Sequence, residues 1–325
     1  MSKIKVTNGF TTLKMLLFKY KEIMVVYDRN VSVYAEKIIG THPSLAIDAD
    51  EAHKTMDTVM DVCRWLLENE ADKKTLVLAI GGGTTTDIVG FAASIFKRGI
   101  RYANIPTTLL AQVDAAIGGK TGVNLDHYKN ILGVINEPEF TYINTETLKT
   151  LPHRDFLSGA AEMIKTFIIR DDGNYEKALK VVGLPDLDLD ALVPLIEAAA
   201  KTKRKIASSD LEDEGKRRML NLGHTWAHAI EWWQHMTGAK DPYLHGEAVA
   251  IGIVQAARMS EAQGLAREGL AAKIKADLEY CGLPTEMPCD ETELQKAFDQ
   301  DKKRQGGKIN YVLIKSIGSV TVKKI

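Results

Sequence analysis

The segment Asn221-Leu-Gly-His224-Thr-Trp-Ala-His228 spaces two imidazoles at i and i+4, which is one face of a helix, and His245-Gly-Glu247 follows after a short interval. Upstream, Glu162 stands in Ala-Ala-Glu-Met-Ile-Lys, with Lys165 one turn further on. Two imidazoles and one carboxylate are a usual catalytic zinc set, with positions left open for water or substrate. The same spacing also serves hydrogen-bonded or exposed histidines, so from spacing alone both readings stand. Thr225 occupies the place where a His-Glu-x-x-His protease carries its Glu, which disfavours peptide hydrolysis.

A second group of residues could handle phosphate. Gly81-Gly82-Gly83 follows the apolar run TLVLAI (75–80) directly, and Thr84 onward (TTTDIVGFAASIF) has helical patterning. Glycines between a buried strand and a helix let backbone N–H groups approach an anion at a helix N-terminus; a plain tight turn is the alternative. The pattern is neither Gly-x-Gly-x-x-Gly nor a Walker loop. Asp87 reads either as a hydroxyl ligand or as an exposed first-turn acid.

Cations are dispersed rather than pooled. Lys201, Lys203, Arg204 and Lys205 form a run that reads as a solvated helix face, and Arg217 and Arg218 precede the His motif. Arg98, Lys120 and Lys129 lie in RGI, GGKTG and KNILG, where small neighbours suggest backbone close to a ligand. Such a set suits a small polyanion carrying phosphate and carboxylate.

The elements that must position these residues follow two grammars. EIMVVY (22–27) and TLVLAI (75–80) are continuous apolar strands, typical of a parallel sheet buried on both faces. Between them residues 57–68 carry apolar positions at helical spacing, giving a right-handed crossover unit. Beyond about residue 150, long segments at 156–170, 190–207, 219–234, 245–263 and 267–281 are predicted helical. A last strand pair is predicted at 309–314 and 318–323, and the boundary falls at Leu151-Pro152. The 325 residues suit two domains, here 1–152 and 153–325.

Composition excludes several classes. With 42 Lys+Arg against 43 Asp+Glu, the charge gives no case for a nucleic-acid or anionic-membrane partner. No apolar run reaches transmembrane length, and MSKIKVTNGF lacks the apolar core of a signal peptide. Cys63, Cys281 and Cys289, an odd count with no Cys-x-x-Cys pair, read as reduced thiols of a cytoplasmic protein.

Seven stretches together carry a resemblance: GGGTTTDIVGFAASIFKRGI, IPTTLLAQVDAAIGGKTGVN, YKNILG, LKTLPHRDFLSGAAEMIKTFII, RRMLNLGHTWAHAIE, HGEAVAIG and DKKRQGG. In this order and spacing, over roughly residues 48–320, the chain resembles the 3-dehydroquinate synthases, sugar phosphate cyclases of the shikimate pathway of aromatic amino acid biosynthesis. The resemblance implies an α/β, Rossmann-like N-terminal domain with a parallel sheet that binds NAD, then a mostly α-helical domain that binds metal and substrate. It implies a cytoplasmic lyase, a homodimer by family precedent, with no nucleic-acid or membrane partner.

It also implies residue roles. Glu162, His224 and His245 match the family's metal ligands, for zinc or alternatively cobalt, and His228 passes to the substrate set. For NAD the matching positions are Asp28, Asn30, Glu51, Lys54, Gly83, Thr84, Thr85, Thr86, Asp87, Thr107, Thr108, Lys120, Lys129, Thr147, Leu148, Lys149 and Thr150. For substrate and catalysis they are Arg98, Asp114, Lys120, Asn130, Lys165, Lys203, Arg217, Asn221 and His228, with one of Lys302 or Lys303. The family's substrate is 3-deoxy-D-arabino-heptulosonate 7-phosphate, a phosphorylated sugar acid. Its conversion runs through transient oxidation by NAD, phosphate elimination, re-reduction and an intramolecular aldol closure.

Departures from the family pattern set further expectations. Residues 1–45 match poorly, and the chain reads as trimmed at both ends. Asp50-Glu51 lacks the glycine of the family's turn. Thr86 stands at a usual Gly position, where a β-branched residue fits only if the helix has already begun. The rivals are a cyclase acting on sedoheptulose 7-phosphate or glucose 6-phosphate, a metal-dependent polyol dehydrogenase that would release NADH, and a degenerate cyclase serving as a binding module. Arg217, Asn221 and His228 favour the carboxylate-bearing substrate.

Overall fold

A computed structural model describes residues 2–126, 128–210, 215–304 and 308–325, with the side chains of residues 291 and 300–304 outside that description. The chain divides into two compact units: Met1–Leu151 with Leu192–Arg204, and Pro152–Ala191 with Lys205–Ile325.

The first unit runs β1 (Lys3–Thr7), α1 (Thr11–Leu17), β2 (Ile23–Asp28), α2 (Ser32–Ile39), β3 (Ser44–Ile47), α3 (Met56–Glu68), β4 (Leu76–Gly81), α4 (Gly83–Ile95), β5 (Arg101–Pro106), β6 (Lys120–Leu125), β7 (Tyr128–Ile135) and β8 (Phe140–Asn144). Six strands form one sheet in the order β1-β8-β5-β4-β2-β3, every pairing parallel. The unbroken apolar runs follow from this burial. In β4, Val77 and Ala79 enter one core with Val59, Val62 and Leu66 of α3 and Ile88 and Val89 of α4. The alternate residues Leu76, Leu78 and Ile80 enter the other with Leu13 of α1 and Ala35 of α2.

The strand order places a functional feature. β2 lies between β3 and β4, so the connections leaving β2 and β4 diverge. Open parallel sheets bind ligands outside the carboxyl ends of strands at such a switch point. The Asp28–Asn30 turn and the Gly81–Gly83 loop border it here. β6 and β7 form a separate antiparallel hairpin, packed on α4 through Val123 and Leu132.

The second unit contains α5 (His153–Ile169), α6 (Tyr175–Val182), α8 (His224–Thr237), α9 (His245–Ala262), α10 (Leu270–Tyr280), α11 (Glu291–Arg304) and the antiparallel pair β9 (Asn310–Ser316) and β10 (Ser319–Lys324). Helix α7 (Leu189–Ser208) contributes residues to both units. The predicted strand pair and the helices at 156–170, 190–207, 245–263 and 267–281 are present within a few residues. The helix predicted at 219–234 is not continuous. Residues Lys216–Asn221 form a 3₁₀ turn, and Gly223, at φ +80°, interrupts the backbone before α8 begins at His224. Among the described residues no helix is long and apolar enough to cross a membrane.

Two glycines on α9 let its neighbours approach. A Cβ on Gly246 would stand 1.9 Å from the Ser158 carbonyl oxygen of α5, and one on Gly252 would stand 2.0 Å from that of Gly223. Any side chain there would separate α5, α8 and α9.

Candidate active site

Those three helices each deliver one side chain to a common point. Glu162 comes from the middle of α5, while His224 and His245 are the first residues of α8 and α9. One ligand atom from each lies within 4.8 Å of the others, and among the described residues this is where His, Cys, Asp or Glu side chains converge in metal-binding fashion. His245 Nε2 is 3.4 Å and His224 Nε2 3.7 Å from Glu162 Oε1. Ligands about 2.1 Å from one ion at the tetrahedral angle stand about 3.4 Å apart, so this spacing fits a shared cation. Both Glu162 oxygens are buried and accept no well-formed hydrogen bond, even though Lys165 Nζ lies 2.5 Å from Oε2. The Lys165 ammonium compensates one oxygen of this buried carboxylate, and a cation at the converging point would complete the other, which faces the two imidazoles.

The other ring nitrogens are held from outside this point. His224 Nδ1 faces the Leu222 carbonyl at 3.2 Å, and His245 Nδ1 faces Glu231 Oε1 at 3.3 Å. Each leaves Nε2 for the centre, the arrangement that fixes imidazole ligands. Burial works to raise the Glu162 carboxyl, yet Lys165, His245 and His224 together hold it well below the usual range. Burial, and then the charge of Lys165, keep His224 neutral. Burial opposes the charge on His245, but the Glu162 and Glu231 carboxylates facing its two ring nitrogens push it up to about 10. A cation at the centre would displace that proton.

The remaining predicted residues of this unit are close in sequence but differ in setting. Lys165 and Arg217 are buried, and the Arg217 backbone N–H donates to Asp210 Oδ2 at 2.9 Å. Asn221 is exposed at the end of the 3₁₀ turn. His228 is exposed one turn along α8, its ring edge-on to His224 at 5.5 Å between centroids. Of the i, i+4 histidine pair, only His224 joins the converging set. The side chains of Lys302 and Lys303 lie outside the described residues.

In the first unit, Gly82 is the N-cap of α4 and offers no side chain to its first-turn N–H groups. The bareness of Gly81 has a second cause, since a Cβ there would stand 2.2 Å from Thr85 Oγ1. Thr84 is half-buried, and Thr85 is buried with its hydroxyl unpartnered. Thr86 fits because α4 has begun by Gly83, whose carbonyl accepts the Thr86 hydroxyl at 2.9 Å. Asp87 is not the exposed first-turn acid. It lies in the second turn, largely buried, paired with Lys54 Nζ at 2.6 Å. Lys54 donates also to Asn130 Oδ1 at 2.5 Å. Burial pushes the Asp87 carboxyl up to about 6 against the pull of Lys54.

Around this core, Asp28 Oδ1 accepts the Asn30 N–H at 2.9 Å, and Glu51 Oε1 accepts Asn124 Nδ2 at 2.8 Å. Thr107 is buried with its hydroxyl unpartnered, while Thr108 Oγ1 caps the Ala111 N–H. Thr147, Leu148, Lys149 and Thr150 lie in one 3₁₀ turn, the first two buried and the last two exposed. Lys203 is buried, unlike Lys201 and Lys205, so the solvated-face reading fails for it. Its Nζ reaches Asp114 Oδ1 at 2.5 Å and the Asp114 carbonyl at 2.7 Å, at a π-helical turn over Ala111–Ala115. Arg98, Lys120 and Lys129 are exposed, and Arg98 sits at φ +60° between Lys97 and Gly99, which are also left-handed.

Glu231, which faces His245, and Arg154, which forks onto Glu247 two residues from His245, are absent from the set predicted by sequence. Glu231 had a signal, since it lies seven residues from His224 and therefore on the same helical face.

The fold is that of the sugar phosphate cyclases. The chain is similar over its whole length (TM-score 0.88, 27% identity, 93% of that chain) to the 2-epi-5-epi-valiolone synthase of Streptomyces hygroscopicus subsp. jinggangensis, solved with NAD+ and Zn2+ bound. A 2-deoxy-scyllo-inosose synthase complexed with carbaglucose-6-phosphate, NAD+ and Co2+ shares the fold at TM-score 0.87 and 24% identity, over 99% of this chain and 93% of that one. The 3-dehydroquinate synthase N-terminal family matches residues 44–158, and its C-terminal counterpart matches residues 159–304. The 3-dehydroquinate synthase of Halorhodospira halophila is 38% identical over 308 residues, 93% of this chain and 86% of that protein. The chain belongs to the 3-dehydroquinate synthase family and is an enzyme of it.

Proposed function

We propose that the enzyme converts 3-deoxy-D-arabino-heptulosonate 7-phosphate to 3-dehydroquinate and phosphate, using NAD and one divalent metal ion, zinc before cobalt. The observation that carries the reading is the convergence of Glu162, His224 and His245 within 4.8 Å. The metals and NAD+ in the two cyclase structures support it. When bound, the metal supplies Lewis-acid stabilisation of oxygen charge and NAD a reversible store for a hydride.

The chain's own residues then divide the work. The first-turn N–H groups of α4 receive the dinucleotide's phosphates, with Asp28, Asn30 and the Glu51–Lys54 turn on one side and Thr107, Thr108 and Thr147–Thr150 on the other. Asp87 and Lys54 order that loop as a pair, and Lys129 joins the NAD set as the family resemblance implies. Arg98, Lys120, Asn130, Lys165, Lys203, Arg217, Asn221 and His228 are the residues that the family resemblance assigns to the anionic substrate, and Asp114 holds Lys203. Lys302 or Lys303 joins them. His228, exposed beside His224, is placed to move protons at substrate oxygen. In this reading residues 1–152 serve NAD and residues 153–325 serve metal and substrate, while the compact units count residues 192–204 with the first.

A cytoplasmic homodimer completes the reading. The hairpin edge strand β7 leaves Tyr128, Ile131 and Ile135 exposed, which suits an intersubunit contact. The test of the chemistry is formation of 3-dehydroquinate with catalytic NAD. Accumulation of NADH in proportion to substrate consumed would mark a polyol dehydrogenase instead.

A further inference from the structure

Helices α5 and α9 meet in step around the proposed metal centre. Arg154, Ser158 and Glu162 lie at i, i+4 and i+8 on one face of α5. They face three consecutive residues of α9 in reverse order: Glu247, Gly246 and His245. At one end the Arg154 fork grips Glu247, with Nε 2.7 Å from Oε1 and Nη2 2.8 Å from Oε2. In the middle the Gly246 N–H donates to Ser158 Oγ at 3.0 Å. At the other end His245 Nε2 meets Glu162.

We propose that Arg154 is a positioning residue for the metal centre, acting through Glu247 to hold the first turn of α9 and, with it, His245. The inference rests on the proposed metal role of Glu162, His224 and His245. His245 is the first residue of its helix, the place where helices fray. Glu247 closes that end by accepting the Leu244 N–H at 2.7 Å on the same Oε2 that Arg154 holds. Arg154 also fastens the preceding loop through Asp241 Oδ1 and the Pro242 carbonyl, both at 2.8 Å. The guanidinium is partly solvated, and solvated ion pairs add little stability. What a bidentate fork adds is orientation, and at this position it sets the Glu162–His245 spacing.

The test uses the purified full chain stripped of metal, with zinc affinity read by competition against a chromophoric chelator and ligand geometry by the visible spectrum of the cobalt-loaded protein. Arg154→Lys keeps the charge but cannot fork, and should weaken zinc about 10-fold; Arg154→Ala should weaken it up to about 100-fold. Both should shift the cobalt bands, while the metal-free melting temperature moves by no more than about 4 °C. Arg154→Ala combined with Glu247→Gln should weaken zinc by clearly less than the product of the two separate effects, because both act in part on one contact. Zinc affinity in Arg154→Lys within about twofold of the parent, with an unchanged cobalt spectrum, would overturn the proposal; so would additive losses in the double variant. His224→Ala serves as the separate arm: if it retains zinc, the metal assignment fails, whatever the Arg154 variants do.

Discussion

The Lys165 ammonium lies 2.5 Å from Glu162 Oε2 within α5, and both side chains are almost fully enclosed by protein. The same carboxylate faces two imidazoles through its other oxygen. Glu162 therefore serves two cationic neighbours, a fixed ammonium and, in the proposed function, a metal ion. The ammonium keeps the carboxylate ionised in the metal-free protein, and so ready to bind.

This relationship can be read in stability. Removing one partner of a buried pair costs about 3–5 kcal/mol because the other charge is left uncompensated. Lys165→Met should therefore lower the melting temperature of the metal-free enzyme markedly. Zinc restores positive charge at Glu162, so the increase in melting temperature on adding zinc should be larger in the variant than in the parent. An equal increase in both would separate Lys165 from the metal centre.

The ligand set makes a stricter demand. Glu162→Gln and His224→Ala should each lose bound metal and turnover together, since each removes one of three protein ligands. Metal analysis of the purified variants checks this, and a stoichiometric metal content in either contradicts the assignment.

Asp87 gives a pH signature. Its folded value of about 6 lies above the ordinary value of 3.8, so the folded state binds the extra proton. The stability from this group is present below about pH 4 and is lost as pH rises through about 6, amounting to about 3 kcal/mol for a shift of this size. Asp87→Asn lacks that term. The difference in unfolding free energy between Asp87→Asn and the parent should therefore shift in favour of the variant between pH 4 and 6, then level off. A difference independent of pH across that window would show that burial does not perturb Asp87.

How much of this was legible in the sequence differs by element. β2 and β4 read clearly because burial on both faces leaves an unbroken apolar run, and α9 read clearly because of its length. The short strands β1 and β3 carry Lys, Ser and Thr at sheet edges, so they lack that signal. The predicted helix at 219–234 went wrong at Gly223. Apolar periodicity continues through Leu220 and Trp226, but the positive φ of Gly223 resets the helix, so that His224 begins a new one. The three centre residues were recognisable by type, but their convergence depends on Gly246 and Gly252, whose role appears only once three helices are packed. Glu231 faces His245 and shares a helical face with His224, whereas Arg154 meets Glu247, and its type and spacing resemble ordinary surface charge.

The most direct measurement is phosphate release by the full chain supplied with NAD and zinc, with 3-deoxy-D-arabino-heptulosonate 7-phosphate compared against sedoheptulose 7-phosphate. The account predicts release from the heptulosonate alone, dependent on NAD, abolished by a chelator and restored by zinc. Release from sedoheptulose 7-phosphate in preference, or release from the heptulosonate that persists after complete metal removal, would contradict it.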